Sequence, residues 1–99
     1  MKNSKRPTLK QRVKMVEDLK GILPRIVPIS SFGDDNCAAV KAQISVLEDG
    51  LSEEYIEEKW GAEENSYVYD SAMEARRWLD GEELDYGLLE NWKDIASKD

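Results

Sequence analysis

Residues 51–61 read LSEEYIEEKWG, and the reading of this stretch decides the fold. Ser52 stands where an N-cap hydroxyl accepts a backbone N–H of a first helical turn, and Glu53 and Glu54 fall where the helix dipole favours negative charge. Leu51 before the cap and Ile56 after it have the spacing of a hydrophobic staple, and Gly61 after Trp60 is a stop. The stretch predicts a short helix over 53–60. A short helix, a glycine and a longer helical pattern also match the outline of a DNA-reading helix-turn-helix.

Charge separates the two readings. The 99 residues carry a net −7, distributed as +6 over residues 1–33, −1 over 34–47 and −12 over 48–99. DNA binding requires Lys and Arg to neutralise phosphates. The longer helix would instead bring Glu63, Glu64, Asp70 and Glu74 toward the duplex, with Arg76 and Arg77 too late to help. This argues against direct DNA binding by the element and leaves the corner of a helical bundle.

The same punctuation recurs along the chain. Residues 1–7 are polar and basic and read as a flexible leader, and 8–97 as a single helical domain. Thr8 and Gln11 have capping-box spacing, and Leu9, Val13, Val16 and Leu23 share one stripe, which predicts a first helix over 9–22 ended by Gly21 and Pro24. The segment 24–34 reads as an extended, proline-containing connector. Asp34 or Asp35 caps a second helix over 36–49, where Val40, Ile44 and Leu47 form the stripe and Gly50 takes the left-handed position after the end.

A fourth helix is expected over 67–80, with Val68, Ala72, Ala75 and Leu79 on its stripe and enough flanking apolar residues to make it the hub. Its start is open, because Tyr67–Tyr69 also suits a strand and Asp70 suits a cap. Gly81 ends it. Asp85, with Leu84 and Leu89 as staple, predicts a fifth helix over 86–96 that docks from one side. The fold class is therefore all-α, a compact single-domain bundle of about five short helices.

The sequence excludes much chemistry. It has no histidine, so the commonest general base at neutral pH and the Ser-His and Cys-His pairs are missing. The single cysteine, Cys37, builds neither a disulfide nor a structural zinc site. The string DGEELDYGLLEN from Asp80 fails as a calcium loop, having Leu84, Asp85 and Asn91 where a ligand, a glycine and a bidentate glutamate are needed. We expect no enzyme, no catalytic residues, no cofactor and no metal. No apolar run spans a bilayer and no secretory signal opens the chain, so no membrane is expected and the location is read as cytoplasmic.

What remains is binding. Tyr67 with Trp78 on one side of the fourth helix, and Tyr69 with Met73 on the other, are candidate docking residues, together with the outward glutamates Glu53, Glu54, Glu57 and Glu58. Lys5, Arg6, Lys10, Arg12 and Lys14 form a candidate basic patch. The expected function is a non-enzymatic protein-interaction or regulatory module that holds a basic protein partner, with a homodimer as one form. The alternatives are a nucleic-acid-associated regulator using the basic N-terminal arm, and an acidic inhibitor that imitates DNA. In size and charge the chain resembles small acidic accessory proteins of bacteria and their phages, which include such inhibitors; the resemblance covers no motif and assigns no residue.

Overall fold

Local capping sets most helix ends. The computed structural model describes residues 6–26, 33–61, 66–84 and 86–97, and these contain five helices: α1 (Leu9–Ile26), α2 (Gly33–Asp49), α3 (Glu53–Trp60), α4 (Ser66–Leu79) and α5 (Leu88–Ala96). Thr8 and Gln11 close a reciprocal capping box, with Thr8 N–H donating to Gln11 Oε1 at 2.8 Å and Gln11 N–H to Thr8 Oγ1 at 3.1 Å. Ser52 Oγ accepts from Tyr55 N–H at 3.1 Å. Gly50 and Gly81 take positive φ, +63° and +84°. Leu51 N–H then reaches Val46 O, and Glu82 N–H reaches Arg77 O, the long bond of a Schellman turn in each case.

Three boundaries depart from expectation. α1 does not stop at 22 but runs through Pro24 to Ile26. Proline costs a helix about 3 kcal/mol by removing one N–H and crowding one carbonyl. Full burial of Ile26, with Ile22 almost as deep, returns a comparable amount. The connector expected at 24–34 is thus helical at both ends, and residues 27–32 lie outside the described residues. α2 begins at Gly33, so Asp34 and Asp35 fall inside its first turn rather than capping it. α5 begins at Leu88 with Gly87 as N-cap, not at 86 with Asp85. The Glu90 carboxylate folds back over Gly87 and fills the space a Cβ would need. Asp85 lies outside the described residues, as do the leader residues 1–5.

α2 and α4 together form the middle of the bundle: α4, the expected hub, packs on α2, α3 and α5, and α2 packs on α4 and α1. Seven α2 residues are buried, Ala39, Val40, Ala42, Gln43, Ile44, Val46 and Leu47, against Ser71, Ala72 and Ala75 from α4. Small alanines allow α1 and α4 to approach it from two sides, while α3 packs on α4 and α5 packs mainly on α1. α2 and α4 run parallel: Asn36 meets Tyr67, Gln43 meets Ser71, and Gly50 and Leu51 meet Arg76. α4 is helical through Tyr67–Tyr69, which removes the strand alternative. α5 docks on Leu88 and Trp92, from one side as expected. No helix among the described residues is long and apolar enough to cross a membrane.

The buried stripe of α1 is shorter than its periodicity predicts. Val16 is buried, but Leu9 and Val13 are 72% and 49% exposed, because α2 ends at Asp49 and no described element covers the first turns of α1.

The core contains one polar bridge that periodicity does not show. Gln43 is fully buried. Its Nε2 donates to the Ser71 carbonyl at 2.9 Å, and its Oε1 accepts from Trp92 Nε1 at 2.8 Å, so one carboxamide joins α2, α4 and α5. Gln43→Ala leaves the indole N–H buried and unpaired and opens a cavity; we expect a loss of about 2–4 kcal/mol in urea unfolding. Trp92→Phe strands the amide oxygen instead and should cost about 1–3 kcal/mol in the same measurement. A near-neutral Trp92→Phe would show that the bridge contributes little.

Candidate functional site

The outer face of α3 is built by its cap. Starting the helix at Ser52 places Ile56 inward, fully buried, and turns Glu53, Glu54, Glu57 and Glu58 outward, all exposed. Glu53/Glu57 and Glu54/Glu58 stand as i,i+4 pairs of like charge, each unfavourable by a few tenths of a kcal/mol (about 0.2–0.5). None of the four pairs with a cation among the described residues. Lys59, the helix's own cation, lies 5.5 Å from the centre of the Trp60 ring. Tyr55, 47% exposed, shares this helix surface.

The α4 candidates separate. Tyr69 and Met73 are half-buried against the core, as is Trp78. Tyr67 remains 37% exposed, and its hydroxyl donates to Asn36 Oδ1 at 2.8 Å. Tyr67 and Trp78 lie on one flank, but eleven residues of helix set them about 16 Å apart. They do not form a continuous aromatic strip. Among the described residues the most exposed aromatics are Tyr86 and Tyr55, neither of which is among the candidates above. Tyr55 was legible as the non-core neighbour of Ile56 in a short helix; Tyr86 stands in a connector with no periodic signal.

The basic patch also separates. Arg12 is not part of a solvated face: its Nε donates to Leu47 O and its Nη2 to Glu48 O at 3.2 Å, closing the carbonyl end of α2. Arg76 serves the same turn from α4, donating to Leu51 O at 2.9 Å while held by Asp80 at 2.7 Å. Lys14 pairs with Asp18 at 3.0 Å. Arg6 and Lys10 are exposed, and Lys5 lies outside the described residues.

Two adjoining open depressions follow α1 and share Lys14 and Asp18. One has Pro7, Met15 and Trp78 beneath Lys10; the other runs over Gly21 and Ile22 to Arg25, Leu89 and Lys93. The fold thus brings α4 and α5 residues beside a basic run that, in sequence, lacks aromatics. No group of three or more His, Cys, Asp or Glu suited to a metal ion occurs among the described residues.

The Tyr67 phenol titrates above its ordinary range, first because burial disfavours phenolate and then because Glu74 and Asp35 repel it. A folded value above the unfolded one means that the contribution to stability is complete below the unfolded value of about 10 and fades as pH rises through the folded value. In a tyrosinate absorbance titration, wild type should show one late-titrating phenol that Tyr67→Phe removes. Arg12→Ala should lower stability by about 1–3 kcal/mol in urea unfolding, whereas Lys10→Ala should stay within about 0.5 kcal/mol.

Comparisons with protein-family models, with curated proteins and with solved structures yield no match.

Proposed function

We propose that the protein is a non-enzymatic interaction or regulatory module that holds a basic protein partner on the outer face of α3. The observation that supports this reading is the state of that face: four exposed glutamates without a cation partner among the described residues, beside an exposed tyrosine. Repulsion within the i,i+4 pairs weakens an eight-residue helix that has little stability of its own. The helix dipole offsets it only for Glu53 and Glu54 in the first turn. A partner carrying Lys and Arg relieves the repulsion on contact, and the field of the −12 segment speeds its approach. Tyr55 supplies the large, stiff apolar surface that anchors an interface.

The docking centre of the acidic surface is therefore α3 and not the Tyr69/Met73 flank of α4, which packs against the core. The test compares immobilised wild type, Glu54→Lys/Glu57→Lys and Lys10→Glu/Lys93→Glu in extracts of the native cell. Wild type and the α1/α5 variant should retain the same basic protein, releasing it as salt rises, and the α3 variant should lose it while unfolding at a urea midpoint no lower than that of wild type, since both i,i+4 pairs become attractive. Equal retention by the α3 variant would sink the reading.

A further inference from the structure

The groove along α1 has three features that belong together. Its rim is basic: Lys10, Arg25 and Lys93 are exposed and have no ion-pair partner among the described residues, and its one acid, Asp18, is engaged by Lys14. The half beside α4 has an apolar floor, made by Met15 and Trp78, and Leu89 lies in the adjoining, more polar half; the three are half-buried, each from a different helix. Gly21 lies along it in the interior of α1, where glycine costs about 1 kcal/mol against alanine. Among the described residues nothing within 4 Å would meet a Cβ there, so packing among them does not explain the glycine. A residue without a side chain at this position leaves the helix backbone open to close approach from outside.

The same molecule carries the complementary surface. α3 presents unpaired glutamates beside an exposed tyrosine, the inverse in charge of the groove and matched to its apolar floor. Within one copy no ion pair joins the α3 glutamates to α1 or α5 among the described residues. We propose that the α1/α5 groove of one copy receives the acidic α3 face of a second copy, with Tyr55 seated beside Trp78 and Met15 and the glutamates ranged along Lys10, Arg25 and Lys93. This deepens the preceding proposal by placing the basic surface that α3 meets in the α1/α5 groove of another copy, a chain that as a whole carries −7, and it rests on that reading of α3. The contact is head-to-tail, so it either closes as a reciprocal pair or extends with concentration.

The test uses the full chain and two charge-reversed variants, Lys10→Glu/Lys93→Glu in the groove and Glu54→Lys/Glu57→Lys on α3. All four substituted positions are exposed, and folding is checked by helical circular dichroism and the urea midpoint. In sedimentation velocity at about 50 mM salt, where the Debye length is above 10 Å, wild type should associate increasingly with concentration and dissociate at about 500 mM. Each variant alone should be monomeric, because the reversed groove repels the intact α3 in one and the substituted α3, left with Glu53 and Glu58 beside two lysines, no longer complements the groove in the other. An equimolar mixture of the two should associate again, because each variant's altered face meets the other's. A monomeric wild type at low salt, or a mixture that stays monomeric, overturns the assignment. The addition of a labelled single-stranded oligonucleotide supplies the other occupant: saturable binding that the groove variant loses, in place of self-association, also overturns it. Failure here is separable from failure of the α3 reading, since capture of a different basic protein by α3 survives groove reversal and is lost only on α3 reversal.

Discussion

The bundle depends on one carboxamide. The surfaces through which α2 meets α4 are rich in alanine, with Ala39 and Ala42 on one side and Ala72 and Ala75 on the other, all buried. Such surfaces permit close approach but offer few knobs to resist sliding, so apolar packing alone specifies the axial register of two parallel helices weakly. Gln43 supplies the missing constraint. Its amide N–H reaches a single backbone carbonyl on α4, and its oxygen takes a single indole N–H from α5. A shift of one turn, about 5.4 Å, would leave buried polar groups without partners. The buried amide selects one arrangement among several that the apolar surfaces would tolerate, much as a core asparagine fixes register in a coiled coil.

A second constraint sits at the end of α2. The last carbonyls of a helix have no partner within it and carry the negative end of its dipole. Here two guanidinium groups from distant parts of the chain converge on residues 47–51: Arg12 from α1 and Arg76 from α4. The turn is therefore closed three times over, by the left-handed Gly50, by Arg12 and by Arg76, and the helices that supply the arginines are located by it. Arg12 belongs to this junction and is lost to any basic surface, although in the sequence it is indistinguishable from Lys10 and Lys14.

That contrast marks what a sequence can and cannot reveal in this fold. The caps at Thr8 and Ser52 and the stops at Gly50 and Gly81 were legible because their physics is confined to five or six neighbouring residues. The continuation of α1 past Pro24 was not, since the local penalty is offset by burial of Ile26, which depends on the rest of the bundle. Periodicity placed Leu9 and Val13 on the inner stripe correctly as an angle on a helix, but an angle does not say whether another helix extends far enough to cover it. Gln43 was passed over for a related reason: a polar residue inside an apolar stripe becomes informative only when its partners 28 and 49 residues away are seen. On the candidate site, the outward glutamates followed from the helix phase of α3, while the division of α4's aromatics between core and surface required the packing of α2.

The charges show what the fold does with a two-ended sequence. A basic N-terminal third and an acidic remainder would be expected to neutralise each other if the first helix simply lay along the rest. Of the ion pairs formed among the described residues, Lys14–Asp18 lies within α1, Arg76–Asp80 joins α4 to the turn at its end, and Lys20–Glu48 at 2.7 Å alone joins the basic third to the acidic part. The helices are instead positioned by Gln43, by the arginines at the end of α2 and by apolar burial, none of which needs opposite charges to meet. Among the charges left exposed are the glutamates along α3 and, along the α1/α5 groove, Lys10, Arg25 and Lys93. Exposed pairs contribute little to folding, about 0–1 kcal/mol each, so leaving them unmade costs the bundle little. It leaves both faces available for binding, and the energy they withhold from folding is what an association between molecules can draw on.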